Sequence, residues 1–130
     1  MEKHINGARL HYRRSGFGFP VMFLHAGVAD SRMWEPQATG LATEFDVIAP
    51  DRRGYGESEL PPQPWSPVAD VLALMDALGL RDAPHLVGSS TGGMLAIDFT
   101  LEHPERVSKL VLVGSGVGGL HEDAKYKDLY

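Results

Sequence analysis

The sequence predicts an α/β protein, with a mostly parallel sheet covered by helices on both faces, in a single domain over residues 1–130. Three observations carry that prediction. Apolar runs of strand length, among them Val21–Leu24, Phe45–Ala49 and Val107–Val113, alternate with stretches of helical periodicity. The runs are nearly continuous rather than alternating, as expected of strands buried on both faces. Several end in small or polar turns (His25–Gly27, Asp51–Ser58 and the turn at Ser90), which places distinctive residues at the carboxyl edge where such sheets build their sites.

The elements follow in order. Residues 4–14 read as a β-hairpin, because Asn6-Gly7 is a two-residue turn signal and Leu10 and Tyr12 alternate with polar residues. A loop over 15–20 leads to the strand Val21–Leu24. Asp30 or Ser31 is the expected N-cap of a helix running through Met33 and Trp34 to about Ala42. The strand Phe45–Ala49 enters the glycine-containing loop Pro50–Ser58, and Leu60–Pro64 is a proline-rich connector too short for a domain linker. Ser66 and Pro67 are N-cap and first residue of the next helix, whose Val68, Val71, Leu72, Met75 and Leu78 recur at helical spacing before Gly79 ends it. A short strand around Leu86-Val87 precedes Ser90. The helix from Ser90 to about His103 is apolar nearly all round and so is expected to be buried. Pro104 stops it. Val107–Val113 is the sixth strand, and the charged, aromatic stretch 120–130 reads as the start of another helix.

Composition narrows the function. The chain has 130 residues, long enough to bury a core, with 43% hydrophobic and 22% charged residues. A net charge of −5 offers no basic face, so nucleic acid is not an expected partner. With no cysteine, disulfides and thiolate metal sites are ruled out. No run approaches the ~18 apolar residues of a membrane span, and the polar start Met1–His4 has no signal-type stretch behind it. The expectation is a cytoplasmic protein with neither metal nor cofactor.

The most informative stretch is Pro84–Ile97. Gly88, Ser90 and Gly92 form G-x-S-x-G between an apolar strand and a helix. In a chain with 15 glycines the five-residue pattern alone carries little weight, and the setting carries more. A serine held in a strained turn projects its hydroxyl at the strand's end, and its neighbours two residues away must be small. The following helix turns free N–H groups toward whatever the serine attacks, which favours an oxyanion. Other loops fit less well. Gly114, Gly116 and Gly119 make G-x-G-x-x-G after a strand, but a dinucleotide site also needs a helix, a further strand and an acid about 20 residues on. Gly88–Gly93 lacks the lysine of a phosphate-binding loop, and no H-E-x-x-H is present.

Four pieces in order resemble the amino-terminal half of the α/β-hydrolases. They are Leu24–Gly27 with Trp34 after it; Asp51–Ser58, similar to the family's D-x-R-G-x-G-x-S loop; Gly88–Gly93; and His103–Val107 leading into Leu110–Val113. The resemblance implies a truncated α/β-hydrolase fold of about six strands, lacking the last two. It implies Ser90 as nucleophile, with Thr91 N–H and a second N–H, that of Gly27 or its neighbours Ala26 and Val28, as oxyanion donors. Each such donor is worth about 3–4 kcal/mol in a tetrahedral intermediate. It implies elbow roles for Gly88 and Gly92 and bracing roles for His25, Asp51 and Arg53, the last two bonding backbone rather than substrate. Ala26 replaces the glycine common after the family's histidine. Relatives that use an aspartate nucleophile, such as epoxide hydrolases, differ at the elbow.

The family's triad runs serine, acid, histidine along the chain. No carboxylate directly follows Val113, and His121, Glu122 and Asp123 stand where the family begins its cap. The expectation is therefore a serine hydrolase of esters, lactones or related small acyl compounds whose triad acid and base are not in this chain, nearly inactive by itself. A non-catalytic fragment, or a ligand-binding or scaffold protein of the same fold, is the alternative. The sixth strand would then be an exposed edge, open to self-association or to completion by a second chain.

Overall fold

The hairpin opens the fold. Asn6 and Gly7 both adopt positive φ (48° and 81°), the turn that matches strand twist, and pair β1 (Glu2–Ile5) with β2 (Ala8–Ser15), Ile5 opposite Ala8. The structure is a computed structural model and describes residues 1–116. β3 (Phe19–Leu24) leads through a short 3-10 turn (Ser31–Trp34) into α1 (Glu35–Leu41), and β4 (Phe45–Pro50) precedes α2 (Pro67–Ala77). β5 (His85–Ser89), α3 (Thr91–Glu102), a 3-10 turn (Pro104–Arg106) and β6 (Leu110–Val113) complete the described elements.

The six strands lie in one sheet in the order β1-β2-β4-β3-β5-β6. β1–β2 and β2–β4 are antiparallel, while β4, β3, β5 and β6 run parallel. Alternate residues of the parallel strands serve two cores. Met22, Leu24, Ile48 and Leu86 face α2 and α3 through Leu74, Met75, Leu95 and Phe99. Val21, Phe23, Val47 and Ala49 face Trp34 and α1 on the other side. Both faces are covered, which explains the unbroken apolar runs.

The caps read from sequence are in place. Asp30 Oδ1 accepts from Arg32 N–H at 2.9 Å, and Ser66 Oγ accepts from Ala69 N–H at 3.2 Å. Arg32 also clamps the Asp30 side chain and pulls its carboxyl down to about 2.

Three expectations need correction. The helix after Asp30 ends where expected, with Ala42 as its C-cap, but it starts as a 3-10 turn and becomes α-helical only at Glu35. β6 begins at Leu110 rather than Val107; Ser108 N–H already reaches Pro84 O, but regular pairing starts with Leu86 opposite Leu110. α3 is not buried all round. Leu95, Ala96 and Phe99 are buried, whereas Leu101 is 76% exposed, because the helix lies on the sheet by one face and its opposite stripe points outward whatever its composition.

Candidate active site

Ser90 stands between β5 and α3 with φ 53° and ψ −119°. Among the described residues only Asn6 shares a positive φ without being glycine, and Asn tolerates it far better than Ser. The conformation is strained, and the surroundings hold it. Ser90 N–H donates to Val113 O at 3.0 Å, and Ser90 O accepts from Gly93 N–H at 2.9 Å and Met94 N–H at 3.1 Å. The serine itself is exposed.

The flanking glycines are required by close approach. A Cβ on Gly88 would lie 2.6 Å from Gly93 Cα, and one on Gly92 would overlap the carbonyl oxygens of Leu24 and His25. A Cβ on Gly27 would lie 2.9 Å from Thr91 Oγ1. These contacts bring the end of β3, the sharp turn at Ser90 and the first turn of α3 together. Thr91 opens α3, so its N–H has no partner within the helix. Among the described residues Gly27 N–H has no backbone acceptor either. An open groove borders Gly27 along Val28, Asp30 and Tyr55. A second, apolar recess under the 51–58 loop is lined by Arg52, Tyr55 and Trp65 among others, with neither Ser90 nor Gly27 in its wall.

The bracing residues are organised by Asp51, which is buried. Its Oδ1 accepts from Ser31 N–H at 2.8 Å, and its Oδ2 accepts from Glu57 N–H at 3.0 Å and faces His11 Nδ1 at 3.0 Å. Burial by itself would raise the Asp51 carboxyl, but these donors outweigh it and hold it below the usual range. His11 Nε2 meets Glu57 at 3.0 Å, so His11, Asp51 and Glu57 cluster closely enough to suggest a metal. Each ring nitrogen already faces a carboxylate of the protein, however, so His11 bridges Asp51 and Glu57.

Arg53 does more than bond backbone. It donates to Ile5 O and Asn6 O at 3.2 Å, and it forms a two-pronged pair with Asp70 on α2 at 2.8 and 2.9 Å. The expectation of backbone partners covered only half of its role, because α2 brings in a carboxylate 17 residues away.

His25 is fully buried. Its Nε2 accepts from Arg52 N–H at 3.0 Å, so its Nδ1 carries the proton and donates to Ala26 O at 2.7 Å. Both contacts suit the neutral ring, and burial pushes its pKa below the ordinary 6.5. An unfolded chain binds this proton more readily than the folded one. Stability from His25 is thus complete above about pH 6.5 and is lost as pH falls toward the folded value. Denaturant midpoints measured from about pH 8 down to about pH 5 should fall, and part of that fall should vanish in His25→Asn. A His25 ring that titrates at or above its ordinary value by NMR would rule this out.

Reading the sequence passed over Arg52. Its Nη2 donates to Thr91 Oγ1 at 2.9 Å and its guanidinium lies 4.8 Å from the Tyr55 ring centroid. In the D-x-R-G-x-G-x-S pattern Arg52 fills a variable position, so the motif directs attention to Arg53 instead. Gly114 and Gly116 are described, but Gly119, His121, Glu122, Asp123 and the tail lie outside the described residues. No described helix is long and apolar enough to cross a membrane.

Comparison with known proteins agrees with this geometry. Residues 20–130 match the family described as the alpha/beta hydrolase fold. The chain is 40% identical to 2-hydroxymuconate semialdehyde hydrolase of Pseudomonas sp. (strain CF600), over 84% of this chain and 41% of that protein. It superposes on the enol-lactonase from Burkholderia xenovorans LB400 with a TM-score of 0.79 at 31% identity, covering 85% of this chain and 45% of that one. It superposes equally on a Vigna radiata epoxide hydrolase mutant, with a TM-score of 0.83 at 30% identity, covering 96% and 40% of the two chains. The chain spans about two fifths of the length of the first of these relatives. With the order β4-β3-β5-β6, the turn at Ser90 and the Asp51–Ser58 loop all in place, the chain belongs to the α/β-hydrolase fold family.

Proposed function

We propose that Ser90 is the nucleophile of a serine hydrolase acting on a carboxylic ester, lactone or related acyl compound. The observation that supports this best is the exposed serine held at positive φ beside Gly27 and Thr91. In this reading Ser90 Oγ attacks the acyl carbon while a general base takes its proton. The carbonyl oxygen becomes negative and is met by the N–H groups of Thr91 and Gly27. The alcohol or enol leaves with that proton, and water then releases the acid from the acyl-enzyme. The name of one relative, an enol-lactonase, fits this class of chemistry. A serine at the elbow argues against the aspartate nucleophile of epoxide hydrolases.

We place the triad acid and base outside residues 1–130. Among the five described histidines, the ring nitrogens of His11 face Asp51 and Glu57 and those of His25 are bonded to Ala26 and Arg52, while the rings of His85 and His103 pack against Phe19 and Phe99. The fifth, His4, lies on β1 at the far edge of the sheet. This chain by itself is then a very weak hydrolase, and the competing reading is a binding or scaffold protein. A fluorophosphonate probe separates the two. Labelling that maps to Ser90 supports the enzyme; absence of labelling in the full-length protein, with stabilisation by a bound ligand, supports the binder. Burst hydrolysis of an activated ester by pure chain 1–130, abolished in Ser90→Ala, would show that the base lies within this chain after all.

β6 carries the remaining proposal. Val111, Leu112 and Val113 are 42–50% exposed on the outermost parallel strand among the described residues. We propose that this strand pairs with a further strand, from the same or a second polypeptide. Chain 1–130 alone should therefore sediment as associated species, and a stable monomer at high dilution would count against it.

A further inference from the structure

A guanidinium withdrawn from water keeps its charge and costs free energy unless an anion answers it. Arg9, Arg13, Arg14, Arg32, Arg53 and Arg106 each meet a carboxylate, at 2.7 to 3.6 Å. Arg52 is half-buried and has no carboxylate partner among the described residues. Its Nη2 bonds a neutral hydroxyl, Thr91 Oγ1, and its Nε is shut away from solvent with no partner among the described residues. Burial pushes its pKa down. Asp51, Asp30 and Asp70 are committed elsewhere: Asp51 to Ser31, Glu57 and His11, Asp30 to Arg32, and Asp70 to Arg53.

The location gives this unanswered charge a use. Thr91 directly follows Ser90, and the Gly27 turn lies within contact of both Thr91 and the Tyr55 hydroxyl. The Arg52 backbone is fixed by its N–H bond to His25, so the guanidinium is presented from a rigid corner. We infer that Arg52, supported by Tyr55, recognises a carboxylate on the substrate beside Ser90, so that the preferred substrate is an acyl compound bearing a free carboxylate in addition to the bond that is cleaved. This rests on the acyl-transfer reading of Ser90. A guanidinium meets a carboxylate with paired, charge-assisted hydrogen bonds, which a neutral ester cannot supply.

The test compares two esters in the full-length protein, mono-p-nitrophenyl glutarate (anionic) and p-nitrophenyl valerate (neutral), with glutarate binding measured by calorimetry. The wild type should favour the anionic ester about tenfold or more in kcat/KM, chiefly through KM. In Arg52→Gln that preference should fall to about one, and glutarate binding should be lost. Arg52→Lys, which keeps the charge, should retain part of both and carries the comparison if Arg52→Gln does not fold. Glutarate binding should survive in Ser90→Ala. If neither ester is turned over while glutarate still binds through Arg52, the anion site stands and the acyl reading falls. A wild type indifferent to substrate charge, or a preference unchanged in Arg52→Gln, overturns the inference. So does a wild type that ignores glutarate while Arg52→Gln is strongly destabilised, which would mean that a carboxylate of the protein itself answers the charge.

Discussion

Replacing Ser90 by alanine is expected to remove fluorophosphonate labelling and to lower the turnover of the full-length protein by up to about a millionfold, the scale seen when a triad nucleophile is deleted. Oxyanion donors and binding would sustain only a small residual rate. Replacing the same residue by glycine should be equally inactive and yet more stable. Ser90 occupies φ 53° and ψ −119°, a region glycine enters without steric cost. Release of that strain should raise the unfolding free energy by about 1–3 kcal/mol, read from urea titration or thermal melting. Inactivity and added stability together would mark the backbone as strained for a purpose. If Ser90→Gly melts below the wild type, or if either variant keeps its label, Ser90 is not the stressed nucleophile described here.

The second large effect concerns stability alone. Arg53 is 3% exposed and Asp70 6% exposed, and together they join the hairpin turn, the 51–58 loop and α2. Removing one partner leaves the other charge buried and unanswered. Arg53→Met or Asp70→Leu should therefore each cost about 3–5 kcal/mol in denaturant unfolding. The double substitution should recover most of that loss, because an apolar pair of similar bulk has no charge to desolvate. Arg53→Lys should not rescue, since a point charge cannot fork across both carboxylate oxygens and still reach Ile5 and Asn6. Additive single losses in the double-mutant cycle would show that the two side chains do not act as a pair.

Some features were legible because they are decided within a few residues. Asn6-Gly7 set the hairpin through its positive φ angles, Asp30 and Ser66 capped their helices, and continuous apolar runs marked strands covered on both sides. The glycines around Ser90 announced a turn too tight for side chains. Each of these rests on local dihedral preference or on the period of one element.

Other features needed the chain brought back on itself. Arg52 and Arg53 are adjacent and identical in sequence, yet one reaches Thr91, 39 residues on, and the other pairs with Asp70. Asp51 became a hub only because β2 and the 3-10 turn meet at its carboxylate, and His25 acquired one tautomer only because Arg52 N–H faces it. The outward stripe of α3 is not visible in the sequence, because composition does not say which side of a helix meets the sheet. The sequence by itself determined the order of strands and helices and the strained corner at Ser90. Tertiary structure decided which side chain answers which charge, because electrostatic partners are chosen by distance in space and not by separation along the chain.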